Sequence, residues 1–279
     1  MVAFLAVLLL SQRSVDPAQI VRELQAERSK LVSAALKEGR SSEIEAIDKA
    51  TVAKANARLK GVETAKIEPA KAPGWAELFS LAQRHGEARD LLRAFLATSP
   101  APAPKFDAQL AYLMECRDLP DGRAMAAMLD QVEPPTPATA TSLATHFGGS
   151  LHFSLFDAVG AGEALRLARR VHGFVPRGPY RSDDERKNTG WAHRQMIDVE
   201  ATYLGELGRF DEAVKVLDEG LASLDMDIFR RDGLESARKR FAMMGKPIPE
   251  LPVAMKHGAF ESLAALRGKV VLIEFTAHW

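Results

Sequence analysis

Apolar positions recur with helical spacing from Asp16 to about Met244. Asp16-Pro17 predicts the first helix start, because an aspartate caps free N–H groups and proline suits the first helical position. Ile20, Leu24, Leu31 and Leu36 then fall near one face, and Gly39 ends the run. Ser42 with Glu45 three residues on has the capping-box pattern, and predicts a second helix through Ile44 and Ile47 to Leu59, before Gly61. The stretch 64–74 reads as a loop. Shorter helices are predicted near 75–84, 87–98, 105–117, 122–132, 139–147 and 161–172. The proline-rich breaks at 99–104 and 133–137 separate several of them, since proline lacks an N–H and restricts the residue before it. Residues 173–184 form the longest break. Ser182 with Glu185 then opens a long helix to about Leu207.

The strongest local pattern lies at 201–224. It resembles the tetratricopeptide arrangement: a helix, a tight turn at Gly208, then a second helix with Ala213, Leu217 and Leu221 on its packing face. A small alanine lets two helices approach, and the leucines fill the groove at the fourth and eighth positions on. Ala88, Leu92, Leu96 and Pro100 echo this more weakly. No clean 34-residue period runs through the chain, so the expectation is an irregular helical-repeat domain over residues 15–244 rather than a regular array.

The two ends differ from this middle. Residues 2–10 are nine uninterrupted apolar residues, too short a run for a membrane-spanning helix. The run suits the apolar region of a signal peptide, and residues 1–14 are assigned to such a segment, with export as the expected destination. No Lys or Arg precedes it and no small-x-small cleavage pattern follows. An amphipathic or buried first helix, or a start codon placed too late, stays open. At the other end, Lys269–Phe275 is a short apolar run with β-branched residues bounded by Gly268. It predicts a strand buried on both faces, as in a parallel sheet.

Composition narrows the function classes. The 279 residues carry 37 Lys plus Arg and 37 Asp plus Glu, a net charge of zero. That balance argues against phosphate-neutralising nucleic-acid binders and gives no reason to expect an anionic membrane surface. The hydrophobic share of 47% and charged share of 27% are those of a globular chain. The local excess at 166–194, eight basic against three acidic residues, reads as solvated helix face and loop, with a patch for an acidic partner as the alternative. The smaller excess at 227–240 reads the same way. Cys116 is the single cysteine, in a helical and mostly apolar context, and reads as a small buried side chain. A lone cysteine excludes an internal disulfide, a Cys-x-x-Cys pair and a multi-cysteine zinc site within this chain. His146 and His152 flank FGGSL without ligand-like spacing, and His85, His172 and His193 read as isolated surface or cap residues. FGGS and GAG read as turns, not phosphate loops, because no Gly-Lys-Ser/Thr follows. Trp75, Trp191, Tyr203 and Phe210 read as core or helix-interface residues. No catalytic, cofactor-binding or metal-binding constellation is visible.

Residues 245–279 resemble the start of a thioredoxin-like domain of the redoxin or TlpA type. Such domains open with Gly-x-x-x-Pro, matched by Gly245 and Pro249. They continue to Leu-Arg-Gly-Lys, matched by Leu266, Arg267, Gly268 and Lys269. A hydrophobic strand ending Phe-x-Ala-x-Trp follows, matched by Phe275, Ala277 and Trp279. Thr276 stands where the family often has Trp. The resemblance covers about an eighth of the chain. It implies a mainly α fold class: a helical-repeat domain followed by the first strand of an incomplete thioredoxin-like α/β domain.

In that family the next residues are the redox Cys-x-x-Cys, whose first cysteine sits at a helix N-terminus that lowers its pKa. The chain stops at Trp279, so the expected activity of the chain itself is nil. Val270, Val271, Leu272, Ile273 and Phe275 would lack companion strands, at a cost on the order of 10 kcal/mol if all five stayed exposed. Two functions follow as expectations. One is the front part of an exported thiol–disulfide oxidoreductase; the other is a helical scaffold that binds a protein or peptide partner without catalysis.

Overall fold

The computed structural model describes residues 16–223, 228–247 and 262–271. Eleven α-helices follow one another among these residues: α1 (Pro17–Lys37), α2 (Ile44–Arg58), α3 (Ala72–Leu81), α4 (His85–Leu96), α5 (Pro102–Asp118), α6 (Gly122–Leu129), α7 (Pro137–His146), α8 (His152–Phe174), α9 (Asp183–Glu206), α10 (Phe210–Ser223) and α11 (Ile228–Met243). None is long and apolar enough to cross a membrane. Each packs chiefly on its near neighbours in the chain. α1 lies on α2 and α3, α3 on α4, α4 on α5 and α5 on α6; further on, α8 packs on α9, α9 on α10 and α10 on α11. Like α1 on α3, some contacts skip an element: α6 lies on α8, and α7 on α9. This is an irregular helical repeat with one continuous core.

The local rules explain most helix ends. Asp16 caps α1 by accepting from the Ala18 N–H at 3.0 Å, and Pro17 takes the first helical position. Ser182 caps α9 through the Glu185 N–H at 3.1 Å. Thr136 and Thr139 form a reciprocal capping box at α7. The box expected from Ser42 and Glu45 does not form; a 3-10 turn over Ser41–Glu43 leads into α2 instead. The loop at 64–74 holds two 3-10 turns, Thr64–Lys66 and Pro69–Lys71, and α3 already begins at Ala72. The proline stretch after Ser99 is partly helix, because Pro102 occupies the first position of α5.

The helix, turn and second helix expected from residue 201 onward form. Gly208 turns the chain at φ +71°. Ala213 and Leu217 are fully buried between α9 and α10, and Leu221 packs on the same core. Helix α8 is kinked at Gly160 into two segments, and the helix expected at 161–172 is its second segment. The first segment starts at His152, and the break at Gly160 has φ 76° and ψ 166°, a conformation open to glycine but strained for other residues.

The expected α/β ending is overturned. Every regular element among the described residues is helical, and no strand occurs there. The last described stretch is a 3-10 turn, Ala264–Leu266, after which Gly268 has φ +81°. Lys269, Val270 and Val271 are exposed, with Val270 wholly so, instead of buried on both faces. A strand needs a neighbour to pair its N–H and C=O groups, and the described residues include no strand to supply one. Gly245 caps the end of α11 at φ +72°, against the Phe210 ring. Pro249, Phe275, Ala277 and Trp279 lie outside the described residues, as does the apolar run 2–10.

Candidate functional site

Between α7 and α8 the chain makes one turn of π-helix, Phe147–Leu151. Such wide turns recur at functional sites, because the extra residue redirects neighbouring side chains. Phe147 and Leu151 are fully buried and fix the turn in the core. Gly148 lets the turn lie flush on α9, since a Cβ there would come within 2.7 Å of Gln195 Cβ. A cleft of about 200 Å³ opens where the turn meets α9, lined among others by His152, Phe153, Arg194, Gln195, Asp198 and Thr202.

The chemistry of this cleft is mainly that of acceptors. His152 donates its Nδ1–H to the Phe147 carbonyl at 3.1 Å, which leaves Nε2 as an acceptor. Burial lowers the His152 pKa, against the opposing pull of that carbonyl and of Asp198. The Gln195 Oε1 is buried and accepts no hydrogen bond. Asp198 has no ion-pair partner within 4 Å among the described residues. Arg194 is the lone cation in the lining. Its guanidinium stands over the Trp191 ring at 5.4 Å and against Gly233 of α11, and its Nε is buried without an acceptor. Phe153, at 65% exposure, lies 3.8 Å from the His152 ring by centroid and presents an open aromatic face. Tyr203, buried beneath, donates to the His152 carbonyl at 2.7 Å and holds the start of α8 in place.

A second polar cluster joins the far end of α8 to α9. His193 donates from Nε2 to the Pro176 carbonyl at 3.0 Å, so its Nδ1 must accept from His172 Nε2–H at 2.9 Å. His172 Nδ1 faces Glu200 Oε1 at 2.5 Å, and a hydrogen must sit between them. Arg169 stands 3.5 Å from the second Glu200 oxygen. His193 and Glu200 are 3% and 6% exposed. His172 and His193 are therefore partners in a buried network, not the isolated surface or cap residues that the sequence suggests. His85 is likewise paired, with buried Glu115 at 2.7 Å.

The remaining candidates have structural settings. Cys116 is buried, and desolvation pushes its thiol up to about 11, far from a reactive thiolate. Trp75 and Phe210 pack on the core and Tyr203 lies within it, whereas Trp191 is 37% exposed. Across α1 to α4 and the end of α5 lies a broader groove of about 550 Å³, lined by residues including Arg28, Asp48, Glu77, His85 and Asp118. In the groove Arg28 pairs with Asp48 at 2.7 Å.

Three histidines share one pH consequence. Burial lowers the pKa of His146, His152 and His193; a nearby cation adds to this at His146 (Arg117), as do His172 and Arg177 at His193. A lowered folded-state pKa means the unfolded chain binds more protons, so stability falls as pH drops. The contribution is complete above the unfolded value of about 6.5 and is lost as pH descends from there through the folded value. His193 alone gives a slope of up to about 1.4 kcal/mol per pH unit in that window. Urea denaturation at pH 7.5 and pH 5.5 should show a lower midpoint at the acid value; equal midpoints would refute it.

Comparison with known proteins finds no matching family model, no matching curated protein and no matching solved structure.

Proposed function

We propose that the helical repeat is a binding scaffold for a protein or peptide partner. The observation that carries this reading is the π-turn cleft. It sets buried, unsatisfied polar atoms of Gln195 and Arg194 beside an exposed aromatic ring on a rigid helical frame. Unsatisfied buried polar groups are rare in folded proteins and call for a partner. The groove over α1 to α4 adds a second polar surface of the kind stacked helices present to extended segments. A random peptide library displayed on phage and panned on the immobilised chain tests the reading. Enrichment of a consensus whose synthetic peptide binds with a dissociation constant of about 1–100 μM is expected. Absence of any enrichment would overturn it.

The C-terminal sequence favours a second reading, in which this scaffold accompanies an exported thiol–disulfide oxidoreductase and presents protein substrates to it. Its support is the ordered match of Gly245, Pro249, Gly268, Lys269, Phe275, Ala277 and Trp279 to the opening of the redoxin and TlpA type. The codons after Trp279 test it. A Cys-x-x-Cys encoded there supports the reading, and a stop codon removes it.

A further inference from the structure

We propose that the π-turn cleft receives a lysine or arginine side chain of the partner, an inference that rests on the scaffold reading above. The cleft offers two acceptors, the unpaired Asp198 carboxylate and the His152 Nε2, beside the Gln195 Oε1, which is buried and accepts no hydrogen bond. Its one cation does not cancel them, because the Arg194 guanidinium is turned onto Trp191 and Gly233. Asp198 therefore remains as a local negative charge, within electrostatic reach of His152.

The aromatic face completes the fit. A cation beside an open phenyl ring is attracted by the ring's quadrupole, and the alkyl stem of Lys or Arg covers apolar ring surface. A cleft of about 200 Å³ accommodates one long side chain and not a folded element. Acidic side chains are disfavoured, because they would meet the Asp198 carboxylate and the His152 Nε2 acceptor, while the one cation of the lining is turned onto Trp191 and Gly233.

Fluorescence anisotropy on the full chain tests this with three labelled dodecapeptides: one lysine-rich, one arginine-rich and one glutamate-rich. The two basic peptides should bind and the glutamate peptide should not. Asp198→Asn should weaken the basic peptides at least about 10-fold, and Phe153→Ala about 3- to 10-fold. Asp107→Asn, exposed on α5, should leave binding unchanged. Circular dichroism confirms that each variant is folded. Failure of both basic peptides to bind at about 1 mM, or unchanged affinity in Asp198→Asn, would overturn the proposal. The scaffold reading fails separately. If panned peptides bind but lack basic residues or ignore Asp198→Asn, the cleft assignment falls and the scaffold stands; if no peptide enriches, the scaffold falls.

Discussion

Glu200→Ala is expected to destabilise the protein by about 3–5 kcal/mol, while Glu200→Gln should cost only about 1 kcal/mol. The difference follows from where the hydrogens must lie. His193 Nε2 donates to the Pro176 carbonyl, which makes His193 Nδ1 an acceptor and His172 Nε2 its donor. His172 Nδ1 is then left facing Glu200 and must share a hydrogen with it. Alanine removes that partner and leaves His172 and the half-exposed Arg169 facing an emptied, largely buried site. Glutamine keeps the volume and offers an N–H to His172 Nδ1, so the line from Glu200 to Pro176 stays intact with a neutral His172. Only the link to Arg169 is weakened, and a pair that is half in solvent is worth little. Chemical denaturation of the two variants beside the parent chain measures both. Equal losses within about 0.5 kcal/mol would show that the network does not impose this hydrogen order.

That network shows why part of the molecule is legible in the sequence and part is not. Helix caps at Asp16 and Ser182, and the turn at Gly208 with Ala213 and Leu217 behind it, are local devices. The residues that form them sit within a few positions of one another, so their spacing is visible in the chain. His172 and His193 are 21 residues apart and meet only because α8 docks on α9. Taken singly, each looks like a surface residue. The π-turn is hidden for another reason: FGGSL carries the same glycines as an ordinary turn, and the flush contact of Gly148 with Gln195 exists only once α9 is in place. The C-terminal run fails in the opposite direction. Val270 and Val271 have strong strand propensity, but propensity in a strand expresses packing against a neighbouring strand. Among the described residues there is none, and Lys269, Val270 and Val271 stay exposed and irregular. Of the cleft itself, FGGSL and His152 were visible as a glycine turn beside a histidine; Gln195 and Asp198 carried no signal of their own.

Gly122→Ala should cost about 3 kcal/mol, a large penalty for a single methyl group in a helix. Alanine is the better helix former, so propensity alone predicts a gain. Packing reverses the sign. A Cβ at position 122 would fall on the Ser154 carbonyl oxygen and on Ala158 Cβ, at the crossing of α6 and α8. Backbone cannot swing aside as a flexible side chain would, so α6 would have to shift as a body. Both of its ends are tied. At the start, Asp121 caps the Ala124 N–H at 3.1 Å and accepts from Arg89 at 2.7 Å. At the far end, Arg170 of α8 donates to the carbonyls of Leu129 and Val132 at 3.2 and 3.1 Å. Moving α6 away from α8 strains the second set, and sliding it along strains the first. Gly86→Ala provides the control, because a Cβ there meets nothing within 4 Å. That change should be neutral or stabilise by about 0.5 kcal/mol through the unfolded chain. Thermal and urea denaturation of the pair separate the two effects. A Gly122→Ala protein as stable as Gly86→Ala would mean that α6 and α8 do not cross this closely in solution.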